Sequence, residues 1–403
     1  MDLSLFGSES SGHLERIAGT DPRTGPWEHA AFVPNALPDV MPSLSAQTVL
    51  RLGAARAALA ALDSTARQLR NPRVFRQPSL RLEAQSTSAL EGTYEPLRAV
   101  LTADPDDPHS VGMREVLNYV TTAEHAFQWI ADDRPITVGL LAELQKRLVI
   151  GTAADTSSAG DVRDIQVVIG SQPGESVQTA RFVPHPPGDE LGRRLRDLVD
   201  WVRDGHQESV DPVVGAAMAH YAFETLHPFN DGNGRIGRLL VVMQLYAGGT
   251  LSEPTLTVSP WFEARRQEYY DRLLAVSTNS RWDDWIRFFA EGLAASASST
   301  RSTMLAMVDA QTSLREQVRA SHLRADTAQA VVEFAMERLV FTVREVQAAV
   351  EVSYPRANKL VGDLVDLGVL VALDPEGVYR RRFYAPLALN ALTGTERSGD
   401  LNA

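Results

Sequence analysis

Hydrophobic residues recur at helical spacing along most of the chain, which predicts a mainly α-helical fold. The Ala- and Leu-rich stretch from Leu44 to Leu69 places Leu50, Ala54, Ala58 and Leu62 on one face of a helix. Further helices are expected at 78–88, in two segments of 112–148, and at 190–203, 212–226, 234–246, 260–276 and 283–310.

Two segments depart from the helical pattern. Residues 1 to about 40 are rich in Gly, Pro and Ser, which predicts an irregular arm. Farther along, 164–170 and 180–184 are short β-like runs separated by turn-forming residues, SQPGES. This pattern predicts a β-hairpin within an otherwise helical region.

The last part of the chain has its own order of elements. A helix over 327–337, a second after Thr342 and a third after Ser353 precede two short strands that flank 374–377. This order is that of a winged helix-turn-helix domain, and Thr342 and Ser353 are favourable N-cap residues. The polar tail from Thr393 is predicted to be disordered.

Composition narrows the classes of function. The chain of 403 residues contains 44% hydrophobic residues and no cysteine. The length predicts two or three globular domains, and the missing cysteines exclude disulfides, thiolate metal sites and a cysteine nucleophile. A net charge of -12 disfavours general binding to DNA or anionic membranes. Without a recognisable signal peptide or spanning segment, we expect a cytoplasmic protein that does not bind membranes.

The segment HPFNDGNGRIGR, which begins at His227, concentrates charged and flexible residues between two apolar helices. Gly232 and Gly234 can direct backbone N–H groups toward an anion at the positive end of the second helix. Arg235 and Arg238 lie three residues apart on that helix and can clamp phosphate oxygens.

Three further side chains of this segment suit a nucleotide site. Asp231 is a suitable oxygen ligand for Mg²⁺, Asn233 can bond to phosphate, and His227 can accept a proton from an attacking hydroxyl. The alternative is an ordinary glycine turn with no chemical role, but such a turn would not need so many charged groups. Glu224, one turn earlier, is either a surface carboxylate or a group that orients His227, while His220 is expected to be packed.

The segment resembles the Fic motif, HPFx[DE]GNGRxxR, at every specified position. The resemblance implies that His227 is the general base, that Asp231 holds Mg²⁺ and that Asn233 contacts the α-phosphate side. It also assigns the remaining phosphate contacts to backbone donors at Gly232 and Gly234 and to the side chains of Arg235 and Arg238. The related Doc kinases carry lysine in place of Gly234, so the glycine favours nucleotidyl transfer.

Two other segments resemble parts of the same family. The hairpin over 165–187 is similar to the flap that pins a target segment over the site, with Arg163, Ile169 and Gly170 on its first side. Thr87 to Gly92, TSALEG, fits the inhibitory pattern [ST]xxxE[GN], which implies that Glu91 restrains the enzyme. Taken alone, this short pattern is also that of an ordinary helix end.

The resemblance implies a Fic-type helical bundle with a β-hairpin flap and a small winged helix-turn-helix domain. Its implied activity is Mg²⁺-dependent transfer of AMP from ATP to a Ser, Thr or Tyr hydroxyl of a target protein or of itself. Removal of AMP, transfer of another phosphate-linked group, and a transcriptional regulator with an accessory Fic domain stay open, as do homodimerisation and DNA binding. The predicted domains are 1–110 (arm, helices and inhibitory motif), 111–297 (catalytic), 298–325 (linker helix), 326–391 (winged helix-turn-helix) and 392–403 (disordered tail).

Overall fold

The computed structural model of the chain describes residues 1–21, 25–69, 75–105, 107–170, 176–206, 208–323, 326–373 and 381–394. These residues are mostly helical, which confirms the predicted fold class. The helices are α1 Ala46–Gln68, α2 Arg76–Leu90, α3 Leu97–Thr102, α4 Val111–Ala131, α5 Val138–Val149, α6 Asp189–Asp204, α7 Pro212–Leu226, α8 Asn233–Ala247, α9 Ser259–Glu263, α10 Arg266–Asn279, α11 Trp282–Ala320, α12 Asp326–Arg338, α13 Val343–Ala349, α14 Tyr354–Asp366 and α15 Pro386–Thr393. The strands are β1 Gly12–Asp21, β2 Gly25–Pro34, β3 Val340–Thr342, β4 Val371–Ala372 and β5 Arg382–Tyr384.

Helices α7 and α8 form the centre of the bundle. Both are apolar on nearly every face, and such helices are stable only when neighbours surround them. They pack against each other; α7 also contacts α6 and α11, and α8 contacts α2, α4 and α5. Helix α7 begins after Asp211, whose carboxylate accepts from the Val213 N–H at 2.8 Å, with Pro212 in the first turn.

The predicted apolar face of α1 is wrong at Leu50 and Ala54, which are exposed, and is confirmed at Leu62, which is buried. Leu50 is 75% exposed, whereas Leu52, Ala55 and Leu59 are buried and α1 packs along α11. The alanines make two neighbouring stripes look almost equally apolar, and the large leucines at 52 and 59 decide which one faces the core.

The prediction of an irregular N-terminal arm is also wrong. Strands β1 and β2 form an antiparallel hairpin, paired from Gly12 with Pro34 to Asp21 with Gly25. The hairpin is held by tertiary contacts that local composition does not reveal. The Phe32 N–H donates to the Val183 carbonyl at 2.9 Å, and Phe32 packs in a small cluster with residues of the 177–183 segment.

The hairpin predicted over 164–184 is reduced to one bridge. Ile169 and Phe182 exchange two backbone hydrogen bonds of 2.9 Å each, and no strand is assigned elsewhere in the described part of this segment. The predicted turn lies largely in 171–175, outside the described residues. The two sides are also joined by Gln166, which donates to the Pro184 carbonyl at 3.0 Å, and Phe32 packs against Phe182.

The C-terminal elements follow the predicted order of helices, with β3, β4 and β5 in a sheet of order β3-β5-β4. Thr342 caps α13 in a capping box with Glu345, while Ser353 makes no side-chain cap bond. Residues 374–377 and 395–403 lie outside the described residues, so the predicted wing turn and most of the tail are not described. The winged-helix assignment and the domain limits stay predictions, and residues 298–320 continue α11 without a break.

Among the described residues, none of the helices is both long enough and apolar enough to cross a bilayer.

Candidate active site

The loop between α7 and α8 is fixed by its two ends and by its own side chains. His227 ends α7 with a left-handed φ of 49°, and Gly232 precedes α8 with a φ of 81°. At the start of α8, the Asn233 side chain accepts from the Phe229 N–H at 2.9 Å and donates to the Phe229 carbonyl at 2.7 Å. The Asn233 amide therefore holds the loop closed, and its predicted contact with phosphate stays a prediction.

Arg163 clamps the start of the same loop from outside. Its Nε donates to the His227 carbonyl at 2.7 Å, and its guanidinium also reaches the carbonyls of Ile165, His185 and Leu226. The backbone N–H of Arg163 donates to the Pro228 carbonyl at 2.9 Å. Sequence reasoning placed Arg163 on the flap and missed this clamp, since its carbonyl acceptors leave no trace in side-chain patterns.

His227 is held in the form that accepts a proton. Its Nδ1 lies 3.3 Å from the Glu224 carbonyl, and a carbonyl can only accept, so Nδ1 carries the hydrogen and Nε2 keeps a free lone pair. Burial, assisted by the positive charge of Arg163, lowers the pKa of His227 to about 4. At neutral pH the ring is therefore uncharged.

Arg235 and Asp231 pair at the mouth of the loop. An Arg235 amino group lies 3.0 Å from the Asp231 carboxylate, and another lies 3.6 Å from Glu115. The Asp231 side chain is 49% exposed, so one of its oxygens can still reach a ligand in solvent. Gln145 fixes its backbone by donating to the Asp231 carbonyl at 3.1 Å.

Arg238 is buried and joined to helix α2. It donates to the Thr87 hydroxyl at 2.8 Å, to the Thr87 carbonyl at 3.1 Å and to the Glu91 carboxylate at 2.6 Å. Burial would raise the pKa of Glu91, but the Arg238 charge outweighs it and the pKa lies below its usual value. Burial likewise opposes the charge of Arg238, yet Glu91 leaves its pKa above the usual value.

The Glu91 carboxylate lies directly against the start of α8. A Cβ atom added at Gly234 would lie only 2.0 Å from Glu91 Oε1. The carboxylate therefore sits at the positive end of α8, where Gly232, Gly234, Arg235 and Arg238 were predicted to bind phosphate. The sequence pattern implied that Glu91 restrains the enzyme, and the structure places its carboxylate against this loop.

The remaining candidates lie nearby. Ile169 makes the bridge to Phe182, while Gly170 is exposed. His220 is a packed core histidine, as predicted, with Nε2 2.7 Å from the Tyr269 hydroxyl. The Glu224 side chain has no bond to His227; only its backbone carbonyl orients the ring.

Comparisons with known proteins agree with this geometry. Residues 49–128 match the Fic/DOC family N-terminal domain, and residues 135–245 match the Fic/DOC family domain. The protein adenylyltransferase fic-1 of Caenorhabditis elegans is 37% identical over 114 residues, covering 28% of this chain and 20% of the relative. The protein adenylyltransferase Fic of Drosophila willistoni is 29% identical over 262 residues, covering 63% of this chain and 47% of the relative.

The chain thus spans less than half the length of these two curated relatives. Among solved structures, a Fic family protein from Desulfovibrio desulfuricans matches with a TM-score of 0.53 at 21% identity. That match covers 89% of this chain and 99% of the other, and it shows a shared fold.

Proposed function

We propose, from the Fic/DOC family N-terminal and Fic domains that this chain carries, that it transfers AMP from ATP to a hydroxyl side chain of a protein or of itself. The observation that carries the proposal is the convergence of His227, the start of α8 and two buried arginines on one loop. The adenylyltransferase names of the relatives support the same reaction.

The reaction forms a bond between the substrate hydroxyl oxygen and the α-phosphorus and breaks the bond from that phosphorus to the bridging oxygen. Pyrophosphate leaves, and the hydroxyl proton passes to Nε2 of His227. The backbone N–H groups at Gly234 and the guanidinium groups of Arg235 and Arg238 would balance the charge on the phosphates. A neutral His227 is the form that this step requires.

Asp231 is the residue that would hold Mg²⁺. Its side chain is half exposed and a single carboxylate suffices, because Mg²⁺ usually takes its other ligands from phosphate and water. Among the residues described, no three His, Asp or Glu side chains cluster as a metal site. When bound, the ion would neutralise phosphate charge.

Glu91 is proposed to keep this activity low. Its carboxylate occupies the space beside Gly234 and engages Arg238, which the terminal phosphate would need. ATP could then enter only with its phosphates displaced, and a displacement of about 1 Å can cost ~10²-fold in rate.

The test is incubation of the full chain with Mg²⁺ and ATP labelled on the α-phosphate, with and without cell lysate. We expect label on this chain or on a lysate protein, and a mass increase of one AMP at a hydroxyl residue. His227→Ala should lower labelling by ~10²–10⁴-fold while ATP binding stays nearly unchanged.

Other outcomes would indicate a different reaction or a different base. Release of AMP from a modified protein would indicate hydrolytic removal of AMP. Labelling from another nucleotide or from a phosphocholine donor would indicate transfer of a different group. Undiminished labelling by His227→Ala would contradict the assignment of the base.

A further inference from the structure

The flap, residues 165–187, is weakly held by its own contacts. Ile169 and Phe182 exchange two backbone hydrogen bonds, and Gln166 donates to the Pro184 carbonyl at 3.0 Å. A two-stranded hairpin is at best marginally stable in water when nothing packs against it. A flap that presses a substrate segment against the site therefore needs support from the rest of the protein.

Strand β2 gives this support from behind the flap. The Phe32 N–H donates to the Val183 carbonyl at 2.9 Å, and the buried Phe32 ring lies 5.7 Å from the Phe182 ring. Val168 and Ile169, on the first side of the flap, pack against the same apolar cluster. The core beneath both sides of the flap thus includes Phe32.

The antiparallel pair of β1 and β2, here called the N-terminal ribbon, is fastened to the helical bundle at its base. Ser11, just before β1, donates from its N–H to the Ser277 carbonyl at 3.2 Å and from its hydroxyl to the Val276 carbonyl at 2.7 Å. Both carbonyls belong to the last turn of α10, and β2 also contacts α7, the helix that ends at His227. The ribbon therefore ties the flap to the helices that carry the catalytic loop.

The backbone pairing arranges the ribbon and the flap in one layer. In an antiparallel pair, a residue directs its N–H and C=O toward one neighbour, and the next residue directs its own toward the opposite side. Phe182 faces Ile169, and Val183 faces Phe32, so the second side of the flap lies between the first side and β2. The backbone groups on either side of Ile169 then face away from Phe182, toward the edge where a substrate segment can add as a strand.

Resting on the proposed AMP transfer, we propose that Phe32 is a positioning residue for the protein substrate. The substrate is an extended segment that pairs with the first side of the flap through its backbone, and Phe32 holds the flap where that segment presents its hydroxyl to His227. The ribbon, residues 12–34, lies outside the two matched Fic/DOC domains at 49–128 and 135–245. This support for the flap is therefore supplied by a part of the chain that those domains do not include.

The experiment separates binding of the protein substrate from binding of ATP. Full chains with Glu91→Gly are given ATP labelled on the α-phosphate, and the acceptors are a His227→Ala copy of the chain and a cell lysate, each over a range of concentrations. Phe32→Ala should lower kcat/KM for the acceptor ~10- to 100-fold, because the bound segment is misplaced. The Kd of ATP should change by a few-fold at most, since its phosphates bind at the start of α8.

Two further variants serve as controls. Phe32→Leu keeps an apolar side chain and the backbone N–H, so it should retain kcat/KM for the acceptor within a few-fold. Phe334→Ala removes an aromatic ring that packs on Phe341 in the C-terminal elements, and it should leave AMP transfer unchanged.

Hydrogen exchange measures the state of the flap directly. In Phe32→Ala, the Ile169 and Phe182 amides should exchange faster, while the amides of α7 and α8 keep their protection. Thermal unfolding establishes that each variant is folded, and Phe32→Val, which removes less of the ring, replaces Phe32→Ala if the latter is not.

Three results would overturn the inference. Equal loss of ATP binding and AMP transfer in Phe32→Ala would mean that Phe32 supports the whole bundle, and unchanged kcat/KM for the acceptor would mean that its support does not reach the substrate. Unchanged exchange at Ile169 and Phe182 would mean that Phe32 does not hold the flap. The absence of any labelled protein with wild type and with Glu91→Gly would overturn the proposed function instead, and hydrogen exchange would still decide whether Phe32 holds the flap.

Discussion

At the scale of single residues, Arg238 pairs with Glu91 and is also the side chain proposed to bind the terminal phosphate. It is bound to Thr87 and Glu91 on one side, and its Nη1 lies close to Gly234 at the start of α8 on the other. A guanidinium that is already satisfied by a carboxylate is a poor phosphate ligand, since one bond must break before the other forms. The residue thus links the proposed inhibitory motif to the loop between α7 and α8.

The first residue-scale prediction concerns Glu91→Gly. We expect AMP transfer to rise about 10- to 100-fold, because a partly exposed charge-assisted bond contributes about 1–3 kcal/mol. Adding Arg238→Ala should abolish the gain. Labelled-AMP incorporation at equal ATP is the measurement, and unchanged or lower activity in Glu91→Gly would contradict self-inhibition.

The second residue-scale prediction concerns pH and Glu224. Its pKa is about 8 when folded, against 4.5 for an ordinary glutamate, so the unfolded chain releases this proton first as pH rises. The contribution of Glu224 to stability is therefore fully present below about pH 4.5. It is lost progressively as the pH rises from there to about 8. Relative to wild type, Glu224→Gln should become more stable across this range, by a few degrees in Tm.

Thermal unfolding of both proteins from pH 5 to 8 measures the difference directly. Parallel curves would show that Glu224 has the same proton affinity in the folded and unfolded states.

At the scale of elements, what the sequence revealed depended on whether the interacting residues are neighbours in the chain. The loop from His227 to Arg238 was predictable because its chemical groups are contiguous. The clamp by Arg163 was not, since its acceptors are backbone carbonyls from three separate segments. The strands β1 and β2 were missed because Gly and Pro weigh against strands locally, while Phe32 stabilises them through distant contacts.

The element-scale prediction tests the Arg163 clamp. Arg163→Lys keeps the charge but cannot reach four carbonyls, so buried acceptors lose their partners and we expect a loss of about 2–4 kcal/mol in the free energy of unfolding. AMP transfer should also fall, because His227 is placed by this loop. Arg193→Lys is the matched control, since that side chain is 62% exposed and its ion pair contributes little.

Denaturant unfolding and labelled-AMP incorporation provide the two measurements. Similar stability of both lysine variants would show that the loop holds its shape without Arg163.

At the scale of the whole molecule, α11 connects the catalytic bundle with the C-terminal elements. Its 39 residues run from Trp282, where Trp285 is packed behind α7, to Ala320 beside α12. A helix of this length measures about 58 Å at 1.5 Å per residue. The predicted catalytic domain and the predicted linker helix therefore share one continuous element.

The whole-molecule prediction concerns DNA. Arg356 and Lys359 are exposed on α14, but Glu351 and Asp366 are exposed beside them and the chain carries a net charge of -12. Because binding to DNA needs several unopposed phosphate contacts, we expect no retarded band in a gel-shift assay with the full chain, even at low salt. A band that disappears in the Arg356→Ala, Lys359→Ala double variant would contradict this and favour a regulatory role on DNA.

The contact between Glu91 and Gly234 also limits how this protein can evolve. Every replacement of Gly234 adds a Cβ atom where the carboxylate now lies, so one mutation alters the loop and its contact with Glu91 together. The lysine that Doc kinases carry at this position could be acquired only with the displacement of Glu91. A lineage that changed its chemistry at this site would have to lose the proposed inhibition by Glu91 in the same step, or replace it with another.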